Sequence, residues 1–288
     1  MTVTIPTNIE SRPIAIIGAG TLGSRIALML ATQGAEVRIS DPNEDARAKG
    51  VAFANDNLAK QVDATPNGKA GKIVGAATLE DALSDAWLVI EAVPEKLDLK
   101  RAIFADLDRL AAPDAILTSN SSSFPTSEFI EKVANPARVL NTHFMMPPLV
   151  NSVELMTSGA TDDRIIALLM DTFPKYGLTP YHVMRESVGF IFNRIWAAIK
   201  REALAVAEEG VATPDTVDRI FRQNFGTDLG PFRMMDQVGL DVVLNIEDHY
   251  AALREGLPEG PRKLLHRMID EGRLGVKSGK GFYDDYSK

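Results

Sequence analysis

Residues 13–23 read PIAIIGAGTLG, and this stretch determines the fold predicted for the whole chain. Four consecutive apolar residues predict a buried strand, and three glycines follow it with the spacing G-x-G-x-x-G. The first glycine permits a tight turn, the second lets a pyrophosphate approach the backbone, and the third lets the next helix pack closely on the strand. The pattern therefore predicts a turn that binds a dinucleotide at a helix N-terminus. Its residues are Gly18, Gly20, Thr21, Leu22 and Gly23.

A second strand is predicted at residues 36–40, and Asp41 stands at its end, 18 residues after Gly23. A carboxylate at this place can accept hydrogen bonds from both ribose hydroxyls, and it would repel a 2′-phosphate. No arginine directly follows Asp41 in the sequence. We therefore predict that the cofactor is NAD rather than NADP.

Charge and composition narrow the class of protein. The chain has 288 residues, a formal net charge of −8 and no cysteine. The acidic balance argues against nucleic acid or an anionic membrane as a partner, and the absence of cysteine and of closely spaced histidines argues against a metal site. The N-terminus lacks a targeting pattern, and no apolar run approaches the roughly 18 residues that a membrane span needs. We expect a soluble, intracellular protein of the cytoplasm.

Apolar strands and amphipathic helices alternate through the first two thirds of the chain, which predicts a Rossmann-type, doubly wound α/β sheet. The further strands are predicted at residues 72–74, 87–93, 115–119, 138–142, 153–156 and 179–184. The later part of the chain contains only predicted helices, at residues 190–209, 214–224, 230–255 and 260–271. We therefore predict an NAD-binding domain at residues 1–186 and an all-helical C-terminal domain for substrate and dimerisation at residues 187–288.

Polar residues stand at the carboxyl ends of these strands, where open α/β sheets bind their ligands. These positions are Asp41, Glu95, residues 119–123 and His143. We expect them to converge with the glycine turn on one crevice. His143 is predicted at a strand tip, with Glu154 on the next strand within contact distance. Because histidine titrates near about pH 6.5 when unperturbed, it can take and return the proton of a secondary alcohol.

Each of these residues also has a purely structural interpretation. A histidine at a strand end can be a hydrogen-bonded part of the scaffold, and a serine in a serine-rich turn can stabilise the turn. Acidic residues are favoured at the start of a helix without any ligand. Residue type and spacing alone leave both interpretations open for His143, Ser122 and Glu95.

Several segments taken together resemble the L-3-hydroxyacyl-CoA dehydrogenase family over nearly the whole chain. They are IGAGTLG at 17–23, VIEAVPE at 89–95, SNSSS at 119–123, HF at 143–144, VE at 153–154, GFIFNR at 189–194, GPF at 230–232 and GKGFY at 279–283. The resemblance implies an NAD-dependent oxidoreductase of fatty acid metabolism that moves a hydride reversibly between NAD and a 3-hydroxy or 3-keto acyl substrate. It also implies a homodimer formed through the helical domain.

The resemblance further implies roles for individual residues. His143 matches the catalytic histidine of the family, and Glu154 matches the acidic partner of that histidine. Ser122 matches the hydroxyl that contacts the reacting oxygen, and Asn193 matches an asparagine of the helical domain that reaches into the cleft. The residues that match positions near the cofactor are Glu95, Lys100, Asn120 and Lys277.

Two departures from the family pattern bear on the substrate. The usual sequence His-Phe-Phe-Asn-Pro is replaced by HFMMP at 143–147, so that the thioether of Met146 stands in place of an amide. A thioether cannot donate a hydrogen bond to the substrate. Residues 43–72 are also shorter than the lysine-rich pair of helices that helps to hold CoA in the family, and residues 93–101 are closer to the L-gulonate and carnitine dehydrogenase relatives.

Three functions therefore remain open from the sequence. The leading hypothesis is a 3-hydroxyacyl-CoA dehydrogenase. The first alternative keeps the chemistry but takes a free β-hydroxy or β-keto acid, or another small ketone, without CoA. The second alternative is a non-catalytic dinucleotide-binding protein, and the presence of both His143 and Glu154 argues against it.

Overall fold

The computed structural model of the protein describes residues 3–286, and the chain divides into two units between Ile191 and Phe192. We call them the N-terminal unit and the helical unit. Each unit has a hydrophobic core of its own. No helix within residues 3–286 combines the length and apolar character needed to cross a bilayer.

The N-terminal unit is built on one eight-stranded sheet. Its strands are β1 (Ile14–Ile17), β2 (Glu36–Ser40), β3 (Lys72–Ala76), β4 (Leu88–Glu91), β5 (Ile116–Ser119), β6 (Val139–Met146), β7 (Val150–Thr157) and β8 (Thr179–Val183). Their order in the sheet is β3-β2-β1-β4-β5-β6-β7-β8, and only the pair β6–β7 is antiparallel. The order reverses between β1 and β4, which is the switch point where such sheets bind a dinucleotide. The predicted Rossmann-type sheet is confirmed.

Helices cover both faces of this sheet. They are α1 (Thr21–Leu30), α2 (Glu44–Ala64), α3 (Leu79–Leu83), α4 (Leu97–Leu110) and α5 (Asp163–Thr172). Alternate residues of β1 enter opposite cores: Ile14 and Ile16 pack with α1, α2 and α5, whereas Ala15 and Ile17 pack with α3 and α4. A strand buried on both faces must be apolar throughout, and this explains the uninterrupted run that precedes the glycine turn.

The strand that carries His143 is longer than predicted. We expected it to end at residue 142, but β6 continues to Met146, so the prediction that His143 stands at a strand tip is wrong. β5 pairs with only residues 139–141 of β6, whereas β7 pairs with β6 as far as Met146 and provides hydrogen-bond partners for its further residues. His143 therefore lies within β6. It is two residues past Asn141, the last residue of β6 that pairs with the parallel strand β5.

The helical unit begins with α6 and contains no strand within the described residues beyond one isolated bridge between Gly275 and Lys280. Its helices are α6 (Phe192–Glu208), α7 (Pro214–Phe225), α8 (Pro231–Val238), α9 (Leu240–Leu253) and α10 (Gly260–Asp270). The single helix predicted at residues 230–255 is wrong, because Gly239 separates α8 from α9. Gly239 has a φ of 102°, outside the helical range, and a Cβ there would lie 3.0 Å from a carboxylate oxygen of Asp241.

Candidate active site

His143 and Glu154 form a buried, hydrogen-bonded pair. They lie directly opposite each other on the antiparallel strands β6 and β7, so that both side chains project from the same face of the sheet. The distance from His143 Nδ1 to Glu154 Oε2 is 2.9 Å, and the two residues are 6% and 3% exposed. Because a carboxylate only accepts hydrogen bonds, Nδ1 carries the hydrogen of this bond, and in a neutral imidazole Nε2 then keeps a lone pair. The pair therefore presents one basic ring nitrogen.

The segment that follows β8 packs against this pair. Glu154 Oε1 accepts a hydrogen bond of 2.9 Å from the backbone N–H of Ile191, so each carboxylate oxygen has its own donor. The ring of Phe190 lies 4.9 Å from the imidazole ring, centroid to centroid. Phe190 has a φ of 53°, a left-handed conformation that costs a bulky residue on the order of 1–3 kcal/mol. Sequence reasoning missed Phe190, although the preceding glycine was a signal of unusual backbone geometry.

A cavity of about 370 Å³ opens beside His143 within the N-terminal unit. Its wall is formed by residues from the glycine turn and from the ends of three strands, among them Leu22, Glu95, Ser122, His143 and Met145. These residues come from the segments that we expected to converge. The arrangement can hold a small alcohol or ketone against the basic nitrogen of the imidazole.

The serine-rich turn after β5 contributes one free hydroxyl to this wall. Ser122 is exposed, and its hydroxyl makes no hydrogen bond to any described residue. Asn120 instead ties the turn to β6, because its Oδ1 accepts a hydrogen bond of 2.9 Å from the backbone N–H of Phe144. The cofactor contact of Asn120 stays a prediction.

Beside the cavity lies a network of charges, of which Lys100 and Glu95 line the wall. Lys100 Nζ lies 2.9 Å and 3.1 Å from the two carboxylate oxygens of Glu91 and 3.2 Å from Glu95 Oε2. Lys100 and Glu91 are 1% and 0% exposed. The ammonium of Lys100 is therefore committed to two carboxylates, and its predicted contact with the cofactor stays a prediction. Sequence reasoning missed Glu91, whose signal was a charged residue inside an otherwise apolar strand.

The glycine turn has the shape that a pyrophosphate requires. Gly18 has a φ of 112°, and a Cβ there would lie 2.5 Å from the carbonyl oxygen of Ala92. A Cβ at Gly23 would lie 2.0 Å from the carbonyl oxygen of Gly18, whereas one at Gly20 would meet no atom within 4 Å. No side chain caps the start of α1, so its first N–H groups are available to an anion. The residues present fit a dinucleotide.

Asp41 lies directly after β2 and braces this turn. Its Oδ2 accepts a hydrogen bond of 2.9 Å from the N–H of Ala19, and its Oδ1 accepts one of 2.9 Å from the N–H of Asn43. Each oxygen keeps a further lone pair for a ribose hydroxyl. Sequence reasoning missed Arg47, whose Nη1 donates to the carbonyl oxygen of Asp41 at 2.9 Å, because α2 brings it back to the strand end.

We expect Asp41→Ala to weaken NAD binding by roughly 10- to 100-fold, because a hydrogen bond to a charged group contributes about 1.5–3 kcal/mol. Discrimination against NADP should fall as well, since the variant no longer repels a 2′-phosphate while Arg47 remains. Calorimetric titration with both cofactors measures the two dissociation constants. Asp45→Ala, at an exposed aspartate in the first turn of α2, is the matched control. An unchanged ratio of NADP to NAD affinity would contradict the assignment of Asp41.

Asn193 and Lys277 belong to the helical unit. Asn193 is the second residue of α6 and is partly buried. Lys277 is ion-paired with Asp241 of α9, and its side chain is 46% exposed. The roles of Asn193 toward the cleft and of Lys277 toward the cofactor stay predictions.

Comparison with known proteins identifies the family. Residues 13–187 match the model of the 3-hydroxyacyl-CoA dehydrogenase NAD binding domain, and residues 189–285 match that of the C-terminal domain of the same family. A 3-hydroxybutyryl-CoA dehydrogenase of Bradyrhizobium diazoefficiens is 35% identical over 283 residues, which cover 95% of this chain and 95% of that protein.

Two solved structures share the whole architecture. The (S)-3-hydroxybutyryl-CoA dehydrogenase of Ralstonia eutropha has a TM-score of 0.85 and 30% identity, with 96% of this chain and 100% of that chain covered. A diketoreductase that acts on dicarbonyl compounds has a TM-score of 0.78 and 29% identity, with 98% and 99% covered. The chain belongs to the 3-hydroxyacyl-CoA dehydrogenase family and is an NAD-dependent oxidoreductase that acts on a CH–OH group.

Proposed function

We propose that the protein interconverts a 3-hydroxyacyl-CoA and the corresponding 3-ketoacyl-CoA, with NAD as its cofactor and His143 as acid and base. The observation that carries this proposal is the His143–Glu154 pair, which lies on the wall of the same cavity as the glycine turn. A purely structural histidine has no need of a carboxylate partner beside an open cavity. The predicted assignments of the cofactor and catalytic residues are part of this proposal.

In the oxidative direction, His143 Nε2 takes the proton of the 3-hydroxyl group. The glycine turn and Asp41 would hold NAD, which would supply the acceptor for the hydride from the carbon that bears this hydroxyl group. The carboxylate of Glu154 stabilises the imidazolium that forms, and the free hydroxyl of Ser122 donates a hydrogen bond to the oxygen as it becomes a carbonyl. In the reductive direction, the imidazolium returns the proton. General acid–base catalysis of this kind contributes about 10²- to 10⁴-fold to the rate.

By the family resemblance, the thioether of Met146 stands where the family usually has an amide. Met145 lies on the cavity wall, and Met146 is 40% exposed. Since a thioether donates no hydrogen bond, polarisation of the substrate carbonyl depends on Ser122, His143 and, by the family resemblance, Asn193. Flexible methionine side chains adapt to apolar groups of different shape, which suits an acyl chain.

A second candidate substrate is a free β-hydroxy or β-keto acid, or another small ketone. Two observations favour it. Within residues 43–72 the only helix is α2, Glu44–Ala64, which has two lysines, Lys49 and Lys60, so this segment offers few cations to a CoA moiety. The similar diketoreductase, moreover, acts on dicarbonyl compounds.

Oxidation of NADH in the presence of acetoacetyl-CoA, and separately of free acetoacetate and a small diketone, tests these candidates. We expect turnover with acetoacetyl-CoA at a kcat/KM at least 100-fold above that with the free acid. Turnover of the free acid or the diketone, without turnover of acetoacetyl-CoA, would overturn the proposal of an acyl-CoA substrate. The proposed NAD-dependent reaction would still hold. Absence of turnover with every compound, with NADH still bound in a fluorescence titration, would instead favour the non-catalytic alternative.

We also propose a homodimer formed through the helical unit. We further propose that residues 1–186 bind NAD and that residues 187–288 serve substrate binding and dimerisation. Large apolar side chains of that unit are exposed and support the dimer, since a monomer gains nothing from leaving them in water. They include Ile220, Phe225 and Val211, with 60%, 69% and 71% exposure. The cytoplasmic location and the role in fatty acid metabolism follow from the substrate and remain parts of the proposal. Sedimentation equilibrium of the intact protein tests the dimer.

A further inference from the structure

We infer that Ser121 is a positioning residue of the active site: it fixes the orientation of Ser122 by joining the serine turn to the carboxylate of Glu95. This inference rests on the proposed role of Ser122 in the reaction. Ser121 is 2% exposed and lines the same cavity as Ser122, but its hydroxyl is engaged by Glu95 and by the backbone N–H of Phe124.

Two contacts to Glu95 bracket Ser122 on both sides. The hydroxyl of Ser121 donates a hydrogen bond to Glu95 Oε1, and the backbone N–H of Ser123 donates one of 3.1 Å to the same oxygen. The hydroxyl of Ser121 also accepts a hydrogen bond of 2.9 Å from the backbone N–H of Phe124. The backbone is therefore held immediately before and after Ser122, whose own hydroxyl stays free.

The carboxylate of Glu95 is in turn held by the buried charges behind it. Lys100 Nζ lies 3.2 Å from Glu95 Oε2 and contacts both oxygens of Glu91 on β4. Ser119 connects the network back to the turn, because its hydroxyl donates to Glu91 Oε2 at 2.5 Å and accepts from the N–H of Ser121 at 3.1 Å. Buried charged hydrogen bonds strengthen one another in a low dielectric, so the network forms a rigid support.

A structural role in folding alone does not explain where this support is placed. It surrounds Ser122, whose hydroxyl has no partner among the described residues and which lies on the cavity wall beside His143. The hydroxyl of Ser123 is also unpaired there, but Ser123 does not line the cavity. A donor that stabilises charge in a reaction must be held close to its productive position, and a misplacement of 1 Å can cost about 10²-fold in rate. Ser121 and Glu95 provide this constraint from the wall of the same cavity.

The test is a double-mutant cycle of Ser121→Ala and Ser122→Ala. We expect Ser121→Ala to lower kcat by about 10- to 100-fold while the dissociation constant for NAD changes less than about twofold. In the Ser122→Ala background, Ser121→Ala should cause no further loss, because the group that it positions is already absent. Ser127→Ala removes an exposed, unpaired hydroxyl from the same segment and serves as the matched control.

Equal losses from Ser121→Ala in both backgrounds would overturn the inference, as would a weakening of NAD binding that accounts for the whole effect. A crystal structure of Ser121→Ala gives a readout that does not depend on the substrate. We expect residues 121–124 to move by about 1 Å or more, and an unmoved turn would overturn the inference even if the proposed substrate is wrong. Absence of activity in the unmodified protein, with the turn displaced in the variant, would count against the proposed function alone.

Discussion

His143→Ala is expected to lower kcat by about 10²- to 10⁴-fold and to leave the affinity for NAD unchanged. The imidazole is the one basic group on the cavity wall that is paired with a carboxylate and keeps a free ring nitrogen. Without it, the cavity wall has no imidazole to accept the hydroxyl proton. The dinucleotide contacts, by contrast, lie in the glycine turn and at Asp41, which the substitution does not touch. Steady-state kinetics and NADH fluorescence titration measure the two quantities separately.

His182→Ala is the matched control for this substitution. His182 lies in β8 of the same sheet, is exposed, and makes no hydrogen bond to a described residue. We expect its replacement to change kcat by less than about twofold, as is usual for a surface residue away from a functional site. Full activity of His143→Ala would show that another group moves the proton, whereas a parallel loss of NAD affinity would mean that the histidine supports the cofactor site.

Glu154→Gln is expected to lower kcat by about 10²- to 10⁴-fold, even though the side chain keeps its size. In the structure, one carboxylate oxygen accepts from His143 Nδ1 and the other from the N–H of Ile191. An amide has one oxygen, so it can serve only one of these donors. If its NH₂ group faces His143, Nδ1 must become the acceptor and the hydrogen moves to Nε2, which then cannot take the substrate proton.

Nitrogen NMR of the imidazole distinguishes this tautomer change from a general loss of structure. We expect Nδ1 to carry the hydrogen in the unmodified protein and Nε2 to carry it in Glu154→Gln. Glu80→Gln, at an exposed glutamate in the first turn of α3, is the matched control. A variant that keeps the original tautomer and yet loses activity would show that Glu154 acts through charge alone, and one that keeps its activity would remove Glu154 from the mechanism.

The sequence predicts the nucleotide half of this molecule well because its determinants are local. A glycine turn needs only a few neighbouring residues, and an apolar strand is visible in four or five. The predicted length of β6 was wrong because it does not depend on local sequence alone. Pairing with β7 extends the strand, and such pairing depends on residues that lie apart in the chain. The break between α8 and α9 at Gly239 was missed for a different reason. A glycine inside a helical pattern is a local signal of a helix end, and the prediction of one helix at residues 230–255 did not use it.

The hydrogen-bond network that holds the serine turn could not be predicted from the sequence. Ser121, Glu95 and Lys100 are spread over 26 positions of the chain, and nothing in their spacing states that they meet. Family resemblance pointed to Glu95 and Lys100 as neighbours of the cofactor, whereas their geometry shows the bonds that they make to protein. Motifs identify residues that a site needs, but the contacts that hold those residues in place emerge only when the chain is folded.

The hairpin that joins β6 to β7 places its tip apart from the His143–Glu154 pair. Its tip, residues 147–149, lies beyond a β-bulge between Phe144 and Met146, and the His143–Glu154 pair lies on the other side of that bulge. Because the bulge absorbs changes in local twist and length, grafts at the tip leave the distance between the imidazole and the carboxylate intact. Leu149 and Met146 are exposed there. Changes of sequence confined to this tip should therefore preserve the hydrogen bond between the imidazole and the carboxylate.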